Sequence, residues 1–385
     1  MTRILTTFVP VTVAVLLVGA LAGCTPGAGS PTPGGSPSTP SAIITGSAAD
    51  TSEPQPALDI DCSGLAAAGS IAAAFGPSVH AADPLFTQGL ETPTVPDAFV
   101  IQTMGGVSCE WNNGVPFVGV PISTSYVGAQ LAILPRATTQ WAHYNTTYGA
   151  AAEGVFCTST DPQIICESEQ LVGSTWVALW MYGAVSEAQA HTLAASVTAA
   201  VTAAPAGAPA WTPPSSTRTF GDCASLLTPA QVQADLGVTG ASILFTQPAG
   251  GWSIQAAARE NADAVGCLLQ YTGEDNAPGQ ISWLRGGEWA YDLAASTSDP
   301  GWGASAPVTI AELASGDRAT ERCTDPTTPD YEGFAICTVN LALGGNWIQV
   351  TVEPSQYDPY ITANVRSAAL AIATQLVSGF NAHAH

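Results

Sequence analysis

The chain has 385 residues, 30 acidic against 8 basic, a formal net charge of −22 and only 10% charged residues, where a globular protein usually carries about a quarter. All the basic residues are arginine, which excludes a phosphate-binding loop, a Schiff-base lysine and a Ser-x-x-Lys acyltransferase for want of an amine. Nucleic acid is excluded as a partner as well, because phosphate binding draws on clustered Lys and Arg and so acidic a surface repels polyanions.

Residues 1–23 read as a secretory leader, with Arg3 as the charged start, an apolar stretch over 4–21 interrupted by Pro10, and Leu21-Ala22-Gly23-Cys24 at its end. That tetrapeptide resembles the bacterial lipobox, whose cysteine is lipidated after cleavage before it. It implies a lipid anchor on Cys24 and a cell-membrane location on the extracytoplasmic face. An uncleaved signal anchor is the alternative, since the apolar stretch nearly spans a bilayer. Over 24–57 the composition turns to Pro, Gly, Ser, Thr and Ala, which cannot bury a core and predicts a disordered stalk. As a flexible coil of about 32 residues it reaches roughly 30 Å.

Eight further cysteines divide four and four: Cys62, Cys109, Cys157 and Cys166, then Cys223, Cys267, Cys323 and Cys337. Their surroundings repeat. Cys62 runs to Gly76 and Cys223 to Gly237, each fourteen residues on, and Trp176 follows Cys166 by ten residues as Trp347 follows Cys337. Trp141 and Trp289 also correspond, with a gap. These offsets predict two copies of one domain, residues 58–208 and 217–382, joined by a proline-rich linker over 209–216. In an exported chain without Cys-x-x-Cys knuckles, disulfides are expected rather than metal ligation. Four cysteines per domain leave three pairings open. Chain order favours Cys62 with Cys109, Cys157 with Cys166, Cys223 with Cys267, and Cys323 with Cys337.

In chain order, the first domain is expected to hold a helix over 66–75, strands over 99–102, 117–124 and 130–134, and a helix over 138–147. A hairpin of 163–172 with 175–182 and a helix over 186–201 complete it. The second domain opens with a well-signalled helix, in which Thr228 is the cap, Pro229 the first helical residue, Gln231 three residues after the cap, and Gly237 the stop. Strands over 242–245, 266–271 and 280–284, a helix over 288–295, and a hairpin of 334–343 with 347–353 follow. The last helix carries an apolar stripe of Ile361, Val365, Ala369, Ile372 and Leu376. The fold class is therefore α+β, two tandem similar domains, each a mostly antiparallel sheet with helices on one face and disulfide staples.

The Cys-x-x-Leu helix closing on glycine, the mid-domain cysteine on a strand, the Gly316-Asp317-Arg318-Ala319 turn and the Gly-Asn-Trp hairpin resemble actinobacterial cell-envelope lipoprotein domains of unknown function. They are also loosely similar to the disulfide-bonded extracellular sensor domains of actinobacterial serine/threonine kinases. The first copy lacks the Gly-Asp-x-Ala turn. The resemblance implies an envelope binding or sensing role and supplies no catalytic residue.

Residue by residue, the candidates for chemistry are few. His383 and His385 are a terminal tail, His143 has no matching serine or cysteine motif, and no Gly-x-Ser-x-Gly elbow occurs. Asp59 with Asp61, Glu274 with Asp275, and Asp325, Asp330 and Glu332 are acid groups without a calcium-loop pattern. No metal or cofactor is expected. Trp252 and Trp302, in glycine-rich loops, are the candidate ligand contacts, while Trp141, Trp176, Trp289 and Trp347 recur at matched positions and are expected in the core. The expected role is non-catalytic: binding, sensing or accessory work on an envelope protein, a cell-wall component or a small molecule, with the space between the domains as default site. The alternatives are an envelope hydrolase using acidic residues in an inter-domain cleft and a structural wall-associated protein.

Overall fold

Antiparallel pairing across residues 107–112, 128–134, 154–160, 163–172 and 175–182 builds most of the first sheet, because these segments are rich in aliphatic and aromatic side chains. The computed structural model describes residues 53–82, 95–115, 125–148, 154–160, 163–247, 253–264, 266–296, 303–324, 335–353 and 360–385. Six strands form this sheet: β1 (His80–Ala82), β2 (Val107–Asn112), β3 (Gly128–Leu134), β4 (Gly154–Thr160), β5 (Gln163–Val172) and β6 (Thr175–Tyr182), in the order β1-β2-β3-β6-β5-β4.

The second sheet has seven: β7 (Ile243–Thr246), β8 (Gly266–Tyr271), β9 (Gly279–Leu284), β10 (Ala306–Pro307), β11 (Arg318–Cys323), β12 (Cys337–Leu343) and β13 (Asn346–Val352). Its order, β7-β8-β9-β13-β12-β11-β10, is the first sheet's order with one added edge strand. The repeat in the cysteine spacing is thus a repeat of topology.

The four disulfides are Cys62–Cys109, Cys157–Cys166, Cys223–Cys267 and Cys323–Cys337, the pairs favoured by chain order. Within each domain one bridge ties the opening helix to a strand. The other joins directly opposed residues of adjacent strands, Cys157 to Cys166 and Cys323 to Cys337. Closing the longer loops removes about 4 kcal/mol of unfolded-chain freedom each, and the shorter ones about 3.

Helices cover one face of each sheet. On the first lie α1 (Cys62–Leu65), α2 (Ala68–Phe75) and α5 (Glu187–Ala203), burying Leu65, Ile71, Leu193 and Val197 with Leu131 and Leu179. On the second lie α6 (Cys223–Leu226), α7 (Pro229–Leu236) and α10 (Val365–His383), burying Val232, Leu236, Ile372 and Phe380. The α7 signals act as read: Thr228 and Gln231 form a reciprocal capping box, and Gly237 takes the left-handed conformation at φ 61°. The apolar stripe of α10 starts at Val365, so Ile361 precedes the helix.

The middle helices α4 (Thr138–Tyr148) and α9 (Glu288–Ser296) lie over the opposite faces, against Trp176 and Trp347. There the two domains meet. Phe99, Trp141, Trp176, Ile254, Leu284, Tyr291 and Trp347 belong to one buried apolar cluster drawn from both halves, and residues 48–385 form one compact unit.

Two elements at this seam differ from expectation. Residues 99–102 are not a strand: a 3₁₀ turn, Pro96–Phe99, runs into α3 (Val100–Thr103). Pro96 at the first helical position and Asp97 in the first turn favour that start, and burial of Phe99, Val100 and Ile101 overrides their β-propensity. Its partner α8 (Ile254–Asn261) starts at a Ser253 cap and is itself alanine-rich. Trp289, moreover, does not match Trp141. Leu134 and Leu284 pair with Trp176 and Trp347, and seven residues beyond each stand Trp141 and Tyr291.

Candidate functional site

The seam is reciprocal. Residues 96–99 of the first domain pack on the second sheet, and α8 of the second domain packs on α3 and the first sheet. Between them Arg259 Nη2 reaches Asp97 Oδ2 at 2.6 Å, Gln255 Nε2 donates to the Asp97 carbonyl, and Gln140 Nε2 donates to Asn261 Oδ1 at 2.7 Å. Burial pushes the Asp97 carboxyl up, and the Arg259 charge offsets part of that. Equivalent positions follow from the cysteines: Phe99 stands ten residues before Cys109, and Ala257 ten before Cys267. Matching bonds fix the register, Gly106 N to Ile101 O at 2.8 Å and Ala264 N to Arg259 O at 3.0 Å.

The two halves of the seam are filled differently. Phe99 wedges edge-on between Trp347 and Trp289, with ring centroids 5.3 and 5.7 Å apart. At the matching place beside Trp176 the second domain supplies only the methyl group of Ala257. A hollow of about 270 Å³ remains, lined by Thr139, Gln140, His143, Tyr144, Trp176, Ala257 and Glu260. Its aromatic side is a three-ring cluster: Trp141 to Trp176 at 5.2 Å, Tyr144 to Trp176 at 4.9 Å and Trp141 to Tyr144 at 6.0 Å.

Behind this lining the halves differ again. Three residues after Cys337, Asn340 Oδ1 accepts from Trp347 Nε1 and from Gln349 Nε2, both at 2.9 Å. Three residues after Cys166 the counterpart is Glu169. Burial pushes its carboxyl up to about 7, against the lowering effects of the Tyr144 hydroxyl and the Trp176 indole; Glu167 on the same strand face raises it further. Burial and the carboxylates push the Tyr144 hydroxyl up to about 12. Glu169 Oε2 and Gln140 Oε1 are both buried without a hydrogen-bond partner. The hollow thus joins an aromatic wall and the unpartnered Gln140 Oε1, with the Glu169 carboxyl behind the rings.

Elsewhere, a smaller hollow of about 180 Å³ lies by Arg218 and Arg285. Its cations are engaged: Arg285 Nη1 meets Asp263 Oδ2 at 2.9 Å, and Arg218 donates to the Phe380 and Ala384 carbonyls at 3.2 and 3.0 Å.

Of the residues singled out by sequence, Trp176 and Trp347 are fully buried, Trp141 is buried and Trp289 half-buried. Trp252, Trp302, Cys24, Asp325, Asp330 and Glu332 lie outside the described residues. Asp61 caps α1 through Gly64 N at 2.7 Å, a structural role. Among the described residues no group of acids, cysteines and histidines is placed to hold a metal ion, and no helix is long and apolar enough to cross a membrane. The default expectation of a space between the domains is narrowed: the described seam is a packed apolar core with this hollow at its margin. Tyr144, Glu169 and Ala257 carry no sequence motif, and only the register of the two copies singles out the last two.

Comparison with protein-family models, with curated proteins and with solved structures finds no match.

Proposed function

We propose that the chain is an extracytoplasmic bacterial lipoprotein, anchored by lipid on Cys24, whose two domains act as one binding body in the cell envelope. The observation that carries the binding role is the seam hollow, open in one half and plugged by Phe99 in the other. Two copies of a domain that served only as scaffold have no need of this difference. The leader ending in Leu21-Ala22-Gly23-Cys24, the four disulfides and the resemblance to envelope lipoprotein domains support the location. A hydrolase needs two carboxylates facing one substrate, whereas Glu169 stands behind Tyr144 and Trp176 and Glu260 lies at the rim.

Saturation-transfer NMR of a small-molecule fragment library on the full chain, disulfides intact, tests the binding role. Fragments that bind the native chain and lose their signal in Ala257→Phe are expected. A library in which no binder responds to that substitution overturns the assignment of the hollow.

A further inference from the structure

Among the described residues the two sheets end in four edge strands, and three are blunted by their brevity: β1 has three residues, β7 four, and β10 two, one of them Pro307. The fourth, β4, runs Gly154-Val155-Phe156-Cys157-Thr158-Ser159-Thr160, seven residues without a charge or a proline. Phe156 stands 61% exposed on it. Its counterpart β11 is guarded twice, by Arg318, Glu321 and Arg322 within the strand and by β10 along its edge. The guard also shows what such an edge accepts. The Cα atoms of Cys323 and Cys337 are 4.1 Å apart, the close spacing of a non-hydrogen-bonded pair, so the main-chain N–H and C=O of Cys323 face away from β12. On that side Gly303 N donates to Cys323 O at 2.8 Å, and Val308 N to Ala319 O at 3.1 Å. Cys157 and Cys166 are likewise 4.1 Å apart. Their spacing turns the N–H and C=O of Cys157 to the open edge, and the two-residue period of the strand does the same for Val155. Among the described residues no main-chain group bonds to them there.

We infer that β4 is a docking edge for a second molecule of this chain, the two β4 strands pairing antiparallel so that the first sheets join edge to edge. Charge selects this occupant. The strand has no carboxylate to draw a basic partner strand, and it is the one long edge where two bodies of net charge −22 meet without setting acids opposite each other. The nearest acid on its neighbour is Glu167, one strand in and paired with Phe156. Across the joint the two Glu167 side chains are three strand spacings apart, about 14 Å, beyond the Debye length of about 8 Å at 0.15 M salt. A joint centred on Cys157 lets the whole of Gly154–Thr160 overlap and aims the outward groups of Val155 and Cys157 at the facing strand. Phe156 of each molecule then stands opposite Thr158 of the other, and the two Phe156 rings meet diagonally across the axis. So small a contact makes a weak, reversible dimer.

The test is sedimentation velocity of the full chain, disulfides intact, in a non-ionic detergent, from about 5 to about 300 µM, the range of a weak interface. A reversible shift from monomer to dimer is expected, and it tightens between about 20 and about 150 mM salt because screening relieves the repulsion of like-charged bodies. Phe156→Glu and Thr158→Lys, both at exposed positions and checked by circular dichroism, each weaken the dimer about tenfold by setting like charges across the axis. The double substitution restores it, because this pairing places the two positions opposite each other. A chain that stays monomeric throughout the range overturns the inference. So does a dimer indifferent to both single substitutions, which is held by the leader or another face. A dimer that loosens as salt is raised, or that the double substitution leaves broken, overturns it as well. The edge lies apart from the seam hollow, so none of these results bears on the binding role proposed above.

Discussion

Phe99 and Ala257 occupy matched positions, yet one is a wedge between two indoles and the other a bare methyl group. Removing the wedge should be costly: Phe99→Ala is expected to destabilise the fold by about 3 kcal/mol in urea unfolding, the ordinary cost of emptying a buried aromatic site. Ala257→Phe fills existing space and should change stability by about 1 kcal/mol or less. Equal losses in both variants contradict the asymmetry. Glu169 carries a second expectation. Its ordinary value of 4.5 is raised to about 7 in the fold, so between these two values the folded chain holds a proton that the unfolded chain has released. Stability contributed by this group is then greatest below about pH 4.5, falls as pH rises, and levels off above about 7. With a half-buried side chain the loss amounts to about 1–2 kcal/mol, and Glu169→Gln should remove that slope. An unchanged slope in the variant assigns the titration to another group. Neither residue is marked by a motif; what made them findable was the register set by Cys109, Cys166, Cys267 and Cys337, along which unlike residues at like positions become visible.

Among the elements, those with local signals were legible. The box of Thr228 and Gln231 with Pro229 between them and Gly237 at the end forms as its chemistry dictates. Thr228→Ala is expected to cost about 1 kcal/mol, read as a lower midpoint in chemical unfolding; a loss near zero means that tertiary contacts alone hold α7. The hairpin turned by Gly344 and Gly345, both at positive φ, was readable for the same reason. The seam segments were not. Residues 99–102 read locally as a strand because Phe, Val and Ile favour extended backbone, and their helical state follows from burial against the other domain's Trp347 and Trp289. α8 is short and alanine-rich, and its seam-facing residues Ala257 and Ala258 hold no periodic contrast for a hydrophobic pattern to reveal.

Over the whole molecule, the shared apolar cluster couples the two domains more strongly than a short linker would. With Phe99, Ile254, Leu284 and Trp347 buried in one contact, the domains should unfold together. Calorimetry of the native chain should show one transition, and Phe99→Ala should be the variant that begins to split it. Two resolved transitions in the native chain contradict the coupling. The anchor is tested at the same scale: Cys24→Ala, expressed in a bacterium that processes lipoproteins, is expected to leave the membrane fraction for the soluble one, and retention in the membrane contradicts lipidation at that residue. The binding role itself places ligand in the half of the seam that Ala257 leaves open. The most direct measurement is ¹⁹F NMR of the chain labelled with 5-fluorotryptophan, titrated with a fragment that binds the native chain in the screen and assigned by Trp→Phe substitutions. The account predicts shifts confined to Trp176 and its neighbour Trp141, with Trp289 and Trp347 unmoved; shifts at Trp289 and Trp347 with Trp176 silent contradict it.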